Sequence, residues 1–331
     1  MPGSWERVVE RIRRDRRSGA SALLAEGIEA ARLFLAEARR LPPSRLTAAL
    51  EKFTLRLTAS QPSMAVFLTL ANALWMGRGE EKGGRPSWDG LHDVLVRYAD
   101  GTDQGLRATV RRAANLVGPG SLVLTYSNST AVRLALWQAM AGGRRFEVVC
   151  SESRPMAEGV VLARHLAALG IPVHLVVDAV LAEWVEAADL ILLGADAITP
   201  DIVVNKVGTE PLLHPARRVG VSAYVLADSS KWLPAALARH WRVRDEPADE
   251  IVRPRLPNVQ VHNWYFGTSG LGLVTGVVWE GGVARPGEIR RRISRLPVSR
   301  ALVNLLEKGR SGMSFSRAGS PIRARRPGRR R

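Results

Sequence analysis

The chain has 331 residues, enough for one large or two modest domains, and an apolar share of 46% is ordinary for a protein that buries a core. Its single cysteine, Cys150, excludes an internal disulfide and a zinc site built on paired thiolates, and nothing in cysteine usage points to an oxidising compartment. The net charge of +17 invites a nucleic-acid partner, yet Arg310, Arg317, Arg323, Arg325, Arg326, Arg329, Arg330 and Arg331 fall in a closing segment without one acid.

The opening MPGSWERVVERIRRDRR is charged throughout and lacks the apolar stretch of a secretory signal. In SGASALLAEGIEAARLFLAEARRL the apolar residues recur at helical spacing after Ser21, a candidate N-cap, and Pro42-Pro43 ends the run. A second helix is expected after Ser44. A third, SMAVFLTLANALWM after Pro62, is apolar on nearly every side and so is predicted to lie buried between the others. GRGEEKGGRPS reads as a loop, and a fourth helical segment from about Trp88 to Leu116 is expected to bend near Gly101 and Gly105. Gly118-Pro119-Gly120 then marks a domain boundary, with residues 1–117 as a helical N-terminal domain.

Beyond it, short β-branched runs alternate with helical stretches: SLVLTY, FEVVC, PVHLVVD, DLILLGAD and SAYVLAD. Strands this uniformly apolar are covered on both faces, which predicts an α/β, Rossmann-like domain over residues 118–308 with a mostly parallel, doubly wound sheet. VQVHNW and GLVTGVVWE are expected to add a strand pair at its edge, and 309–331 reads as a disordered, arginine-rich tail, a candidate for weak RNA or anion binding. No run of about 18 uncharged apolar residues occurs, so neither a membrane span nor a membrane partner is expected, and the location is expected to be cytoplasmic.

In open parallel sheets, ligands bind beyond the carboxyl ends of the strands, where loops and helix N-termini present N–H groups to anions. Four such places carry polar residues. Ser127, Asn128, Ser129 and Thr130 follow the first strand, as a phosphate-cradling turn or an ordinary helix cap. Arg154 follows the second, to grip an oxyanion or to pair with a nearby acid. Asp196 follows the fourth, where partial desolvation lifts a carboxyl towards neutrality, or where it serves as a cap or loop ion pair. Asn205 and Lys206 precede a flexible Gly208 and another helix; lysine is scarce in this chain, occurring only at 52, 82, 206, 231 and 308.

LTYSNSTAV, SESRPMAEG, the LLGAD run and NKVGT, in this order, resemble the family that unites the translation initiation factor 2B alpha, beta and delta subunits with methylthioribose-1-phosphate isomerase and ribose-1,5-bisphosphate isomerase. RRSGASALLAEGIEA is similar to that family's substrate loop. The resemblance implies a homodimer, no metal, no cofactor, and a phosphorylated pentose or nucleotide-derived small molecule bound where the helical and Rossmann-like domains meet. It makes Asp196 the counterpart of the isomerases' catalytic aspartate, assigns Asn205 and Lys206 to the sugar and its phosphate, and places Arg17, Gly19 and Ala20 in the substrate loop and Arg154 in the Glu-Ser-Arg-Pro motif.

The departures concern chemistry. The isomerases' catalytic cysteine aligns with Ser127, and a serine hydroxyl, far less acidic than a thiol, needs a neighbouring base that the sequence does not reveal. Gln61-Pro62-Ser63 stands where the isomerases carry Arg-Pro-Thr, and Gly267-Thr268-Ser269-Gly270 replaces an Asp-x-Thr-Pro segment. Asp228 and Lys231 restore only part of the lost charge, and Cys150, flanked by apolar residues, reads as packing or as a neighbour of the crevice. Two functions are therefore expected from the sequence: an aldose-ketose isomerase acting on a ribose 1-phosphate derivative, with Asp196 and Ser127 catalytic, or a non-catalytic sugar-phosphate or nucleotide sensor of the initiation-factor type.

Overall fold

The computed structural model describes residues 3–77 and 86–311. Residues 78–85 of the expected loop and 312–331 of the tail expected over 309–331 lie outside the described residues, while 309–311 are helical, so the last helix runs three residues into the expected tail. Among the described residues, five helices come first: α1 (Ser4–Arg14), α2 (Ala20–Ala38), α3 (Pro43–Ser60), α4 (Ala65–Gly77) and α5 (Trp88–Ala114). As its composition requires, α4 is buried through Phe67, Leu70, Leu74 and Trp75. Trp5, Phe34 and Phe53 stack or meet edge to face beside it, so α1, α2 and α3 share one apolar centre. No described helix is long and apolar enough to cross a membrane.

The remaining elements are β1 (Leu122–Tyr126), α6 (Thr130–Ala141), β2 (Glu147–Ser151), α7 (Glu158–Ala168), β3 (Val173–Val176), β4 (Leu190–Gly194), β5 (Ala197–Ile198), β6 (Ile202–Lys206), α8 (Thr209–Val219), β7 (Ser222–Leu226), α9 (Ala235–Ala238), β8 (Phe266–Gly270), β9 (Gly276–Trp279), β10 (Gly282–Ala284), α10 (Pro286–Ser294) and α11 (Arg300–Ser311). Seven strands form one sheet in the order β10-β9-β7-β4-β1-β2-β3, parallel except for β10. Successive side chains of its central strands enter different cores: Leu124, Val149, Ile191 and Leu193 face α8 and α10, whereas Val123, Val148, Cys150 and Leu192 face α6, α7 and the end of α5. Both faces are covered, as the uninterrupted apolar runs imply. The chain winds from β1 outward through β2 to β3 and returns to place β4 on the other side of β1, so the sheet changes winding direction between β1 and β4.

Four local expectations are corrected. The α2 helix begins at Ala20 with Gly19 as its cap residue, not at Ser21, and no side chain caps it. The α5 helix runs unbroken through Gly101 and Gly105: a lone glycine costs only about 1 kcal/mol in a helix, and Gly105 lies where the helix passes close to Asp228. VQVHNW forms no strand, because Asn263 and Trp264 bond the 245–250 loop instead of a ladder. Asn205 and Lys206 end a strand rather than a loop, and β6 belongs to a separate antiparallel sheet, β5-β6-β8. The last helix, α11, returns to the helical layer and buries Leu302 and Leu306 in it.

Candidate active site

The pocket opens at the carboxyl ends of β1 and β4, where the winding direction changes, and α2 and the β6–β8 pair close its other side. Its cavity is narrow, about 80 Å³, and opens to solvent at its mouth. Of the residues singled out from the sequence, Arg17, Gly19, Ala20, Ser127, Asn128, Ser129, Asp196, Asn205 and Lys206 line it together, although they come from separate segments of the chain. Arg154 does not line it. Asp178 accepts from Ser151 Oγ (2.6 Å) and from the backbone N–H groups of Ser153 and Arg154, which folds this turn towards the end of β3, and the exposed Arg154 guanidinium reaches the Glu250 carbonyl at 3.4 Å.

Two helix N-termini meet here. The N–H groups of α2 start behind Gly19 without a side-chain cap, and those of α6 start behind Ser129, whose hydroxyl accepts from Val132 N–H. Both are long enough to offer a partial positive charge and unpaired donors to an anion. The approach is close: a Cβ on Gly194 would sit 2.5 Å from Ser129 Oγ, so only glycine lets β4 end beneath α6. Gly208, at φ +98° and with Tyr126 Oη 2.8 Å from where its Cβ would be, likewise brings the turn after Lys206 against β1, and Tyr126 donates to the Val207 carbonyl at 2.7 Å.

The charged groups face one another across this space. Lys206, 3% exposed, pairs with Glu158 Oε1 at 2.6 Å beneath the ring of Tyr265. Ser127 Oγ donates to the same oxygen at 3.1 Å. Glu158 is thus the neighbouring base that the sequence left unassigned, and it is the first residue of α7, within SESRPMAEG. Its Oε2, like Asn128 Oδ1, is shut off from solvent with no hydrogen-bond partner among the described residues. Ser127 holds a left-handed backbone (φ 68°), which its N–H bond to Ser153 Oγ helps to fix; strain of this kind gathers at functional sites. Burial drives the Asp196 carboxyl up to about 6, against the nearby Lys231 ammonium, which lowers it; Glu158 adds to the rise and Lys206 opposes it. Lys231, also 3% exposed, lines the pocket, and its ammonium makes no hydrogen bond or ion pair within 4 Å among the described residues.

Gln61, where the resemblance places an arginine in the isomerases, has a structural role of its own. Gln61 donates to the carbonyls of Ile12 and Asp15, while Asp15 accepts from the N–H groups of Arg17 and Ser18, so the loop that carries Arg17 and Gly19 is tied down from both sides. Arg16, from the same loop, bridges Glu246 and Glu250 at the rim. Cys150 does not line the pocket: it is fully buried in the sheet core, its thiol meets the Gly159 carbonyl at 4.0 Å, and burial pushes that thiol up to about 11. Among the described residues no group of His, Cys, Asp and Glu could hold a metal ion.

A doubly wound α/β protein with an anion-receptive pocket between its helical and sheet layers, holding two carboxylates and two buried ammonium groups, is the class that fold and site define. The chain belongs to the Initiation factor 2 subunit family, whose model matches residues 16–286. It is 29% identical over 285 residues to the translation initiation factor eIF-2B subunit 2-like protein of Pyrococcus horikoshii, covering 85% of this chain and 97% of that one. A ribose 1,5-bisphosphate isomerase from Haloferax volcanii is 32% identical over 182 residues, 53% of this chain and 56% of the isomerase. Among solved structures, the P. horikoshii OT3 translation initiation factor eIF-2B superposes with a TM-score of 0.75 at 27% identity, covering 87% of this chain and 99% of that chain. The 5-methylthioribose 1-phosphate isomerase of the same organism shares the fold, with a TM-score of 0.66 at 22% identity and 87% of each chain covered.

Proposed function

We propose that the pocket binds a phosphorylated pentose and isomerises it from aldose to ketose. The observation that carries this reading is the polarity of the pocket. On the donor side stand Lys231, the N-termini of α2 and α6, and Arg17 at the mouth, which together suit a phosphate. On the acceptor side stand Glu158 Oε2 and Asn128 Oδ1, which have no partner, and Ser127 Oγ, whose proton is engaged by Glu158. Unpaired buried acceptors are costly, and ligand hydroxyl groups would satisfy them. A ligand with a phosphate at one end and hydroxyls along its length matches both sides. Asp196, poised near neutrality, is the group suited to give and take a proton.

Ribose 1,5-bisphosphate and 5-methylthioribose 1-phosphate are the probes that the relatives suggest. Either, at a hundred times its dissociation constant, is expected to stabilise the protein by about 2.7 kcal/mol in a thermal-shift assay. Lys231→Met should weaken that binding at least about tenfold, the loss of one charge-assisted contact. If no phosphorylated pentose shifts the transition, the pocket reading fails.

A second reading keeps the pocket but not the catalysis. It is favoured by Ser127, where the isomerases have a thiol, and by the match over 97% of the eIF-2B subunit 2-like relative against 56% of the isomerase. Turnover of either probe, followed by phosphorus NMR, decides between the two. A homodimer is part of both readings, and Leu175 on the edge strand β3 and Val177 just beyond it, each about half exposed, are suited to such a contact. Light scattering of the purified protein is expected to give twice the chain mass of 36.1 kDa, and a monomer at micromolar concentration would discard it.

A further inference from the structure

The serine at position 127 removes the thiol that a proton transfer at carbon would use, but the same pocket contains a carboxylate with one oxygen held and the other free. Ser127 Oγ (3.1 Å) and Lys206 Nζ (2.6 Å) both bind Glu158 Oε1, which fixes the carboxyl group from two directions. Glu158 Oε2 is left without a partner and out of contact with bulk water. A hydroxyl whose proton is already committed to a carboxylate is a poor base, and its alkoxide would be far too basic to persist beside Glu158. The carboxylate, with one oxygen held and the other open to a ligand, is the stronger candidate.

We propose that Glu158, rather than Ser127, is the base that carries a proton between C2 and C1 of the bound sugar phosphate, an assignment that rests on the isomerase reading above. In the first step Glu158 Oε2 takes the C2 proton, and the C2–H electron pair becomes the C1=C2 bond. The bond from C1 to the ring oxygen breaks, and that oxygen takes the proton from Asp196. The product is the open-chain enol phosphate, with Glu158 protonated and Asp196 ionised. In the second step the C2 hydroxyl gives its proton to Asp196 and becomes the ketone, while the C1=C2 electron pair takes the proton from Glu158 at C1. Both carboxyl groups return to their starting state, and no oxidant or further reactant is consumed. The two acids need opposite starting states: burial lifts the Asp196 carboxyl towards neutrality, while the Lys206 ammonium and the Ser127 hydroxyl face one oxygen of Glu158. Ser127 becomes a positioning residue that orients Glu158.

The test measures conversion of ribose 1,5-bisphosphate by phosphorus NMR, with binding of the same compound followed by thermal shift. Glu158→Gln is expected to lower kcat roughly a thousandfold while the ligand still stabilises the protein, which also shows that the variant is folded. Glu158→Asp, a carboxylate set back by one methylene, should retain activity lowered about ten- to a hundredfold. Ser127→Ala should stay within about tenfold of the wild type and alter kcat more than KM. The proposal is overturned if Ser127→Ala loses as much as Glu158→Gln, if Glu158→Gln stays within tenfold of wild type, or if the wild-type protein binds the compound without converting it. Absence of binding by any phosphorylated pentose would instead remove the pocket reading beneath it.

Discussion

Asp196→Asn is expected to make the protein more stable at pH 8 while abolishing turnover. The carboxyl is lifted by burial from 3.8 to about 6, so the folded state holds the proton that the unfolded state has released. Stability contributed by that proton is fully present below pH 3.8 and is lost as pH rises through 6. At pH 8 the ionised carboxylate therefore costs the fold about 3 kcal/mol relative to its neutral form, and at pH 4.5 only about 1 kcal/mol. An asparagine is neutral at every pH, so the variant's melting temperature should exceed that of the wild type by several degrees at pH 8, the difference shrinking towards pH 4.5. A melting temperature that drops at pH 8 would show that the nearby ammonium groups, not burial, dominate this carboxyl.

The same substitution should cost turnover roughly two to four orders of magnitude, because a carboxamide has no acidic proton to give the ring oxygen. Stability gained where activity is lost marks a residue retained for chemistry. The neighbouring cations make this a local statement: Lys231 and Lys206 already pull the Asp196 carboxyl down, and it still lies near neutrality. An arriving phosphate would compete for those cations and raise it further, so ligand binding should favour the protonated, acid-ready form.

Much of the architecture was legible because the central strands of the seven-stranded sheet are buried on both faces, and those strands therefore had to be continuous apolar runs. The small antiparallel sheet was less so, since Ile202–Lys206 is short, ends in polar residues, and is defined by pairing with Phe266–Gly270 some sixty residues later. VQVHNW misled for the opposite reason: it alternates like a strand, but local bonds from Asn263 and Trp264 to the 245–250 loop satisfy it first. The helix α1 was read only as charge, because its apolar face, Trp5, Val8, Val9 and Ile12, is a narrow stripe among arginines and glutamates.

The site divides along the same line. Ser127, Asn128 and Asp196 could be found because they follow strands, and the rule that ligands gather at strand ends needs no tertiary detail. Glu158 could not be recognised in that way. It lies beyond a turn from β2, through left-handed residues Ser153 and Ala157, and it meets Ser127 across 31 positions of chain. Arg154, the more conspicuous residue in that motif, is diverted by the bonds that Asp178 makes to the same turn. Lys231 was visible as a scarce lysine, but its value depends on being buried at the pocket wall, which only the fold reveals.

The pairing of Glu158 with Lys206 predicts an effect that runs against simple charge intuition. Lys206→Met leaves a largely desolvated carboxylate with a single hydroxyl to support it, and should destabilise the protein by about 2–4 kcal/mol, somewhat less than for a fully enclosed pair because Glu158 retains a path to the pocket. Adding Glu158→Gln to that variant should recover at least half of the loss, since the uncompensated charge is what costs most, and the coupling measured by chemical denaturation should be about 1.5 kcal/mol or more. Binding should move in the other direction. In the wild type a phosphate reaching Lys206 would have to compete with Glu158 for the ammonium, whereas in Glu158→Gln alone that competing anion is gone. The single variant should then bind ribose 1,5-bisphosphate or inorganic phosphate several-fold more tightly than the wild type, with an advantage that fades as salt is added. Weaker anion binding by Glu158→Gln would mean that Lys206 never meets the phosphate, leaving that role to Lys231 and the two helix N-termini.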